Sequence, residues 1–255
     1  VANEEPAEKR TSPELSLEGE RRYDGRRPFI NRSNLRDIII VVCLISAVLY
    51  DLDWARLAVA GALLTFGCFF HYMTKGVLIR NVVLCREGTY GVVRHPYYMA
   101  NYLIDSSFCL VSGNVYLLLI YPFLFYWSYG PTIRKEEATL ARLHNSEYLR
   151  YSLDVPQIFP DAYSARSMKG VGKGFSMKRI TRNEISRFMR FWATGFLIIF
   201  IHSLKGTDLR KLWSFDLALI SDNPYGFALL ASTVILFVAS LLVQCRKEEA
   251  VLKTQ

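Results

Sequence analysis

The chain has 255 residues, 51% of them hydrophobic and 14% aromatic, and its 31 Lys and Arg against 23 Asp and Glu give a formal charge of +8. The mean hydropathy is +0.16, and the apolar residues fall in blocks rather than spread by period, which excludes a disordered or collagen-like chain and sets a soluble enzyme aside. The pattern predicts an all-α membrane protein of about six transmembrane or half-spanning helices, arranged partly as helical hairpins.

Residues 1–36 hold eight Lys/Arg and seven Asp/Glu. So polar a segment buries too little surface to offset its ordering entropy and is expected to be a mobile tail. The first 37 residues do not read as a secretory signal peptide. A membrane core is expected over 37–160, a basic cytoplasmic linker over 161–190 and a two-helix membrane extension over 191–255.

Six apolar blocks follow the tail: Ile38–Tyr50, Trp54–Phe70, Tyr97–Val111, Val115–Gly130, Phe191–Leu204 and Tyr225–Cys245. Only the last clearly reaches the roughly 20 apolar residues of a spanning helix. Asp51-Leu52-Asp53 joins the first pair and Ser112-Gly113-Asn114 the second. Joins this short predict antiparallel helical hairpins. If all six blocks span with the N-terminus inside, the cytoplasmic segments hold 26 Lys/Arg and the opposite side three. That bias places both termini, and any chemistry on the long polar segments, in the cytoplasm.

The five cysteines lie mostly inside apolar blocks with no CxxC pair, and are expected to be reduced and buried. His71 and His202 have no second ligand at helical spacing, so no metal site is expected.

The informative stretch runs from Gly88 to Pro160. Pro96 drives His95 out of the α region and suits the first position of a helix. Arg94 and His95 therefore sit at a helix mouth, where free backbone amides and the positive dipole end favour an anion. Tyr98, Asn101, Tyr102 and Asp105 follow on one face. Two readings are open for this face: a functional carboxylate in an apolar block, or a polar network tying helices together. Glu136, Glu137, Leu140 and His144 lie along the next amphipathic stretch. Asn145 is a candidate left-handed helix end, after which Tyr148 and Tyr151 pack back. Two readings are open for the glutamates as well: a solvated helix face, or an acidic wall facing the basic mouth.

Arg94-His95-Pro96-x-Tyr98, then after 37 intervening residues from Met99 to Lys135 Glu136-Glu137-x-x-Leu140, then Tyr148-x-x-Tyr151, Val155-Pro156 and Pro160, together resemble the integral-membrane methyltransferases. That group includes isoprenylcysteine carboxyl methyltransferases and phospholipid N-methyltransferases. The resemblance covers about residues 75–160. It departs where Ala100 stands in place of a usual Gly, narrowing the room near the site, and where His144-Asn145 replace an aromatic-Gly pair.

The resemblance implies S-adenosylmethionine as methyl donor and a lipid or lipid-like acceptor entering from the bilayer. It implies cofactor binding by Arg94, His95, Tyr98, Glu136, Glu137, Tyr148 and Tyr151. Asn101 and Tyr102 are read as acceptor-binding, and His95 or Asp105 as the group assisting proton removal from an amine acceptor. Glu137→Gln is expected to abolish cofactor binding. The alternatives are an NADPH-dependent reductase of the sterol-reductase type and a non-catalytic scaffold on the same core.

Residues 164–190 carry eight Lys/Arg against Glu184 alone, a run suited to anionic lipid headgroups. Without interleaved aromatic or groove-reading residues, no nucleic acid is expected. Thr181-x-x-Glu184 predicts a capping box at the start of the fifth helix.

Overall fold

The computed structural model describes residues 32–78, 84–205 and 223–252, and its regular structure over them is helical, with no strand among the described residues. The α-helices are α1 (Arg32–Leu49), α2 (Trp54–Val77), α3 (Pro96–Val111), α4 (Val115–Asp154), α5 (Arg182–Ser203) and α6 (Pro224–Leu252). Short 3₁₀ turns cover Gly88–Gly91, Ser164–Gly170 and Met177–Arg179. Each of the six apolar blocks is thus helical. The N-terminal tail lies outside the described residues up to 31, and α1 starts inside the segment read as tail.

Among the described residues, three helices are long and apolar enough to cross a membrane: α2, α5 and the Pro224–Cys245 part of α6. This is fewer than the six expected. At 16 residues, α3 rises only ~24 Å against a hydrocarbon core of ~30 Å. Arg32, Arg36 and Asp37 load the first turns of α1 with charge. In α4, Pro122 and Pro131 interrupt the apolar stretch.

The predicted pairing of the first two helices is also corrected. α1 packs against α5, α3 and α4, whereas α2 lies along α3, and α5 along α6. The α2–α3 approach is close because it is made at small residues. A Cβ on Gly67 would lie 2.9 Å from Ile104 and 3.2 Å from the Ala100 carbonyl oxygen. Ala100 is fully buried in this seam and does not line the cavity described below. Ala100 thus belongs to the helix seam and not to the cavity wall.

One end of the bundle is closed by its turns. Asp53 caps α2 by accepting from the Arg56 amide at 2.8 Å, and Arg56 donates to the Gly113 carbonyl at 3.2 Å. Gly113 has φ +77°, and a Cβ there would meet the Asp51 carbonyl at 2.7 Å, so only glycine fits where the two turns touch. Lys205 pairs with Asp51 at 2.7 Å, and His202 Nε2 lies 2.9 Å from the Val111 carbonyl.

Cys43, Cys68 and Cys109 are buried, Cys85 is half-buried, and Cys245 is exposed. The expectation that all five are buried fails at Cys245, near the end of α6. That helix leaves large apolar side chains such as Ile235, Phe237 and Leu242 uncovered, a surface that water does not favour.

Candidate functional site

At the other end of the bundle, a cavity of about 1200 Å³ opens where α2 ends and α3 and α5 begin. Arg94 and His95 enter it on a short irregular segment that leads into α3. Their backbone amides donate to the carbonyls of Pro156 and Gln157 at 2.8 and 2.9 Å. The two ends of the sequence motif are joined by this pairing. It also consumes two amides expected to be free at the helix mouth. The amides of Tyr98 and Met99 close on the His95 carbonyl, and the proline at the start of α3 has none to offer.

The side chains of the motif converge. His95 Nε2 donates to Glu137 Oε1 at 3.2 Å, and Arg94 reaches the same oxygen at 3.3 Å. Gln157 donates to Glu137 Oε2 at 2.9 Å. Burial alone would raise the Glu137 pKa, but the His95 hydrogen bond and the Arg94 charge outweigh it and hold the carboxyl below its usual range. Glu137 is thus ionised, fully engaged and absent from the cavity lining. Gln157 went unseen in the sequence because a lone amide in an irregular segment carries no pattern.

Glu136 behaves differently. Its side chain is 47% exposed and lines the cavity. Tyr98 fixes it by donating its hydroxyl at 2.6 Å, and His95 Nδ1 lies 3.8 Å away. Of the paired glutamates, Glu136 therefore faces the cavity and Glu137 braces the wall behind it.

Tyr151 lines the cavity and donates to the Tyr90 carbonyl at 2.7 Å. Tyr148 is buried beside it, their rings 6.3 Å apart. Burial first, and the Glu137 charge second, push the Tyr148 phenol up to about 12. Both tyrosines follow the break at Asn145, where φ is 41° and ψ −120°. The φ is positive as expected, but ψ lies outside the left-handed helical region, so the chain turns sharply here instead of closing in a left-handed cap. The break splits α4 so that the last turns fold back on Arg86 and Leu84.

The polar face of α3 divides. Asn101 lines the cavity and accepts from Arg36 at 3.0 Å. Asp105 is fully buried, pairs with Arg36 Nε at 2.7 Å and accepts from Tyr121 at 2.9 Å. Tyr102 packs among Tyr121, Phe125 and Phe159. Neither Asp105 nor Tyr102 lines the cavity. Of the two readings open for Asp105, the structure has the helix-tying network. Arg36, counted with the tail by composition, is its counter-ion.

α5 also contributes to the lining through Glu184, Arg187 and Arg190. The capping box does not form: Thr181 makes no side-chain cap bond. Glu184 turns instead to Lys75 at 3.3 Å and Arg187 at 3.2 Å, drawn away from the helix start by two cations. Among the described residues, no three His, Cys, Asp or Glu side chains cluster as metal ligands.

Comparison with known proteins finds no matching family model, no matching curated protein and no matching solved structure.

Proposed function

We propose that the chain is a membrane-embedded, S-adenosylmethionine-dependent methyltransferase acting on a lipid or lipid-like acceptor, with its site facing the cytoplasm. The observation that carries the reading is Glu136. A carboxylate held by Tyr98 stands on the wall of a large cavity, braced by the Arg94–His95–Glu137–Gln157 cluster. The residues fit the cofactor. Ligand pockets usually measure roughly 300–1000 Å³, so about 1200 Å³ leaves room for a nucleoside-sized cofactor and an acceptor group together. Glu136 supplies an anion for the ammonium or ribose hydroxyls, while Tyr98 and Tyr151 supply aromatic surface for the sulfonium and the base.

When bound, the cofactor supplies an electrophilic methyl group, and the chain's task is alignment. His95 lies beside Glu136 and can hold a proton at Nδ1 while its Nε2 stays committed to Glu137. It is the proton acceptor this reading assigns for an amine; a carboxylate acceptor needs none.

The test is calorimetric titration of the detergent-purified chain with S-adenosylmethionine and, separately, NADPH. The expected outcome is saturable binding of the first only. Glu136→Gln is expected to weaken it by roughly 10- to 100-fold, the loss of one charged hydrogen bond of about 1.5–3 kcal/mol. Binding of NADPH alone moves the chain to the reductases, a reading that the strongly basic lining of the cavity also accommodates. Binding of neither leaves the scaffold reading.

A further inference from the structure

The cavity has a second cluster that the methyl-transfer reading does not use. Lys75, near the end of α2, and Arg187 and Arg190, one turn apart on α5, all line it. Glu184 is the carboxylate that Lys75 and Arg187 share. It lies 3.3 Å from Lys75 and 3.2 Å from Arg187, and its side chain is 10% exposed. Tyr97 holds the group in shape: Arg187 donates to its hydroxyl at 2.6 Å, and the Lys75 ammonium sits 4.5 Å over its ring. The bonds Arg187 makes run through Nη1 alone. Arg190 is half-buried, with no carboxylate paired to it among the described residues. Three cations against one carboxylate leave an excess of two positive charges in a partly desolvated wall. Such an excess is unfavourable until an anion arrives.

The neighbouring hydroxyls of Tyr97 and Tyr98 point to this cluster and to Glu136 respectively. The two clusters are therefore adjoining parts of one cavity. S-adenosylmethionine carries a net positive charge, so the basic part does not suit it. An arginine fork and a lysine suit a phosphate, which takes bidentate and point-charge contacts together. Their depth fits a headgroup. They lie at the end of one spanning helix and the start of another, where a phosphate meets the bilayer surface.

We propose that Lys75, Arg187 and Arg190 form an anion subsite that takes the phosphate of a lipid acceptor while its apolar chains stay in the bilayer. The proposal rests on the methyltransferase reading for the word acceptor, and on the charge arrangement alone for the phosphate. It makes α5, which lies beyond the sequence resemblance, a determinant of specificity.

The test uses the purified full chain and three probes in calorimetry: dihexanoyl phosphatidic acid, dihexanoylglycerol and glycerol 3-phosphate. Each is repeated on Arg190→Gln and Arg190→Lys, with S-adenosylmethionine titrated into every variant. The expected result is that the phosphatidate binds at least about tenfold tighter than either other probe. Arg190→Gln weakens it about tenfold, Arg190→Lys restores part of the loss, and cofactor affinity is unchanged. Equal binding of phosphatidate and diacylglycerol, or no effect of Arg190→Gln, overturns the subsite. Equal binding of phosphatidate and glycerol 3-phosphate overturns the lipid and assigns a soluble phosphate. Displacement of the phosphatidate by NADPH overturns it in favour of a dinucleotide. If the phosphatidate pattern holds while S-adenosylmethionine fails to bind, the subsite stands and the methyltransferase reading falls.

Discussion

Asp105 shows what a carboxylate inside an apolar helix demands of the rest of the fold. A carboxylate inside an apolar helix needs a partner, and Arg36 supplies it at 2.7 Å while stacking 5.0 Å above the Phe191 ring. Removing one member of such a pair leaves the other charge buried. Asp105→Asn is therefore expected to cost about 3 kcal/mol, read as a lowered unfolding temperature in detergent. The double change Arg36→Met with Asp105→Leu is expected to recover most of it. A polar network tying helices together was one of two readings open in the sequence, but its members were not legible. Arg36 and Asp105 are 69 positions apart, and composition assigned the arginine to the polar tail because its neighbours are polar. The same distance blindness hid Glu184, whose partner Lys75 lies on another helix; a local capping motif was the nearer explanation, and the long-range charges won.

At the scale of elements, α4 is informative because its continuity is only apparent. The helix runs 40 residues but carries a residue with non-helical angles at Asn145. Side chains other than glycine are disfavoured at positive φ by roughly 1–2 kcal/mol, and at ψ −120° Asn145 lies outside the left-handed region that asparagine tolerates. Asn145→Gly is thus expected to raise thermal stability slightly, and Asn145→Val to lower it by about 1–2 kcal/mol while loosening Tyr148 and Tyr151. Differential scanning of the purified variants reads both directions. The break was visible beforehand from the Asn after an amphipathic run, as was the start of α3 from Pro96. Helix pairing was less visible. Short joins pointed to a hairpin of α1 with α2, but a turn fixes only where two ends meet. The small residues Gly67 and Ala100 decide that α2 lies along α3.

For the molecule as a whole, the six-block pattern located the helices and overcounted the spans. The charges that open α1 and the 16-residue length of α3 leave neither helix a full span. The resemblance located the convergence of Arg94, His95, Tyr98 and Glu136, which the fold brings to one cavity. It was silent on α5, which lines that cavity with cations. The charge bias makes an orientation testable through Cys245, exposed near the end of α6. With the C-terminus in the cytoplasm, a membrane-impermeant maleimide is expected to leave Cys245 unlabelled in intact cells and to label it after lysis, with Cys245→Ser as control. Labelling of intact cells would invert the topology and move the cavity to the other side.

The Arg36–Asp105 pair also sets where the chain can be trimmed. By hydropathy, everything before the first apolar block is dispensable, and a shortened protein starting at residue 37 keeps every apolar residue of that block. It also discards the guanidinium that neutralises Asp105 and touches Asn101 at the cavity wall. A protein starting at residue 32 keeps both. Five residues thus separate a truncation that keeps this pair from one that strands a carboxylate in the packed interior.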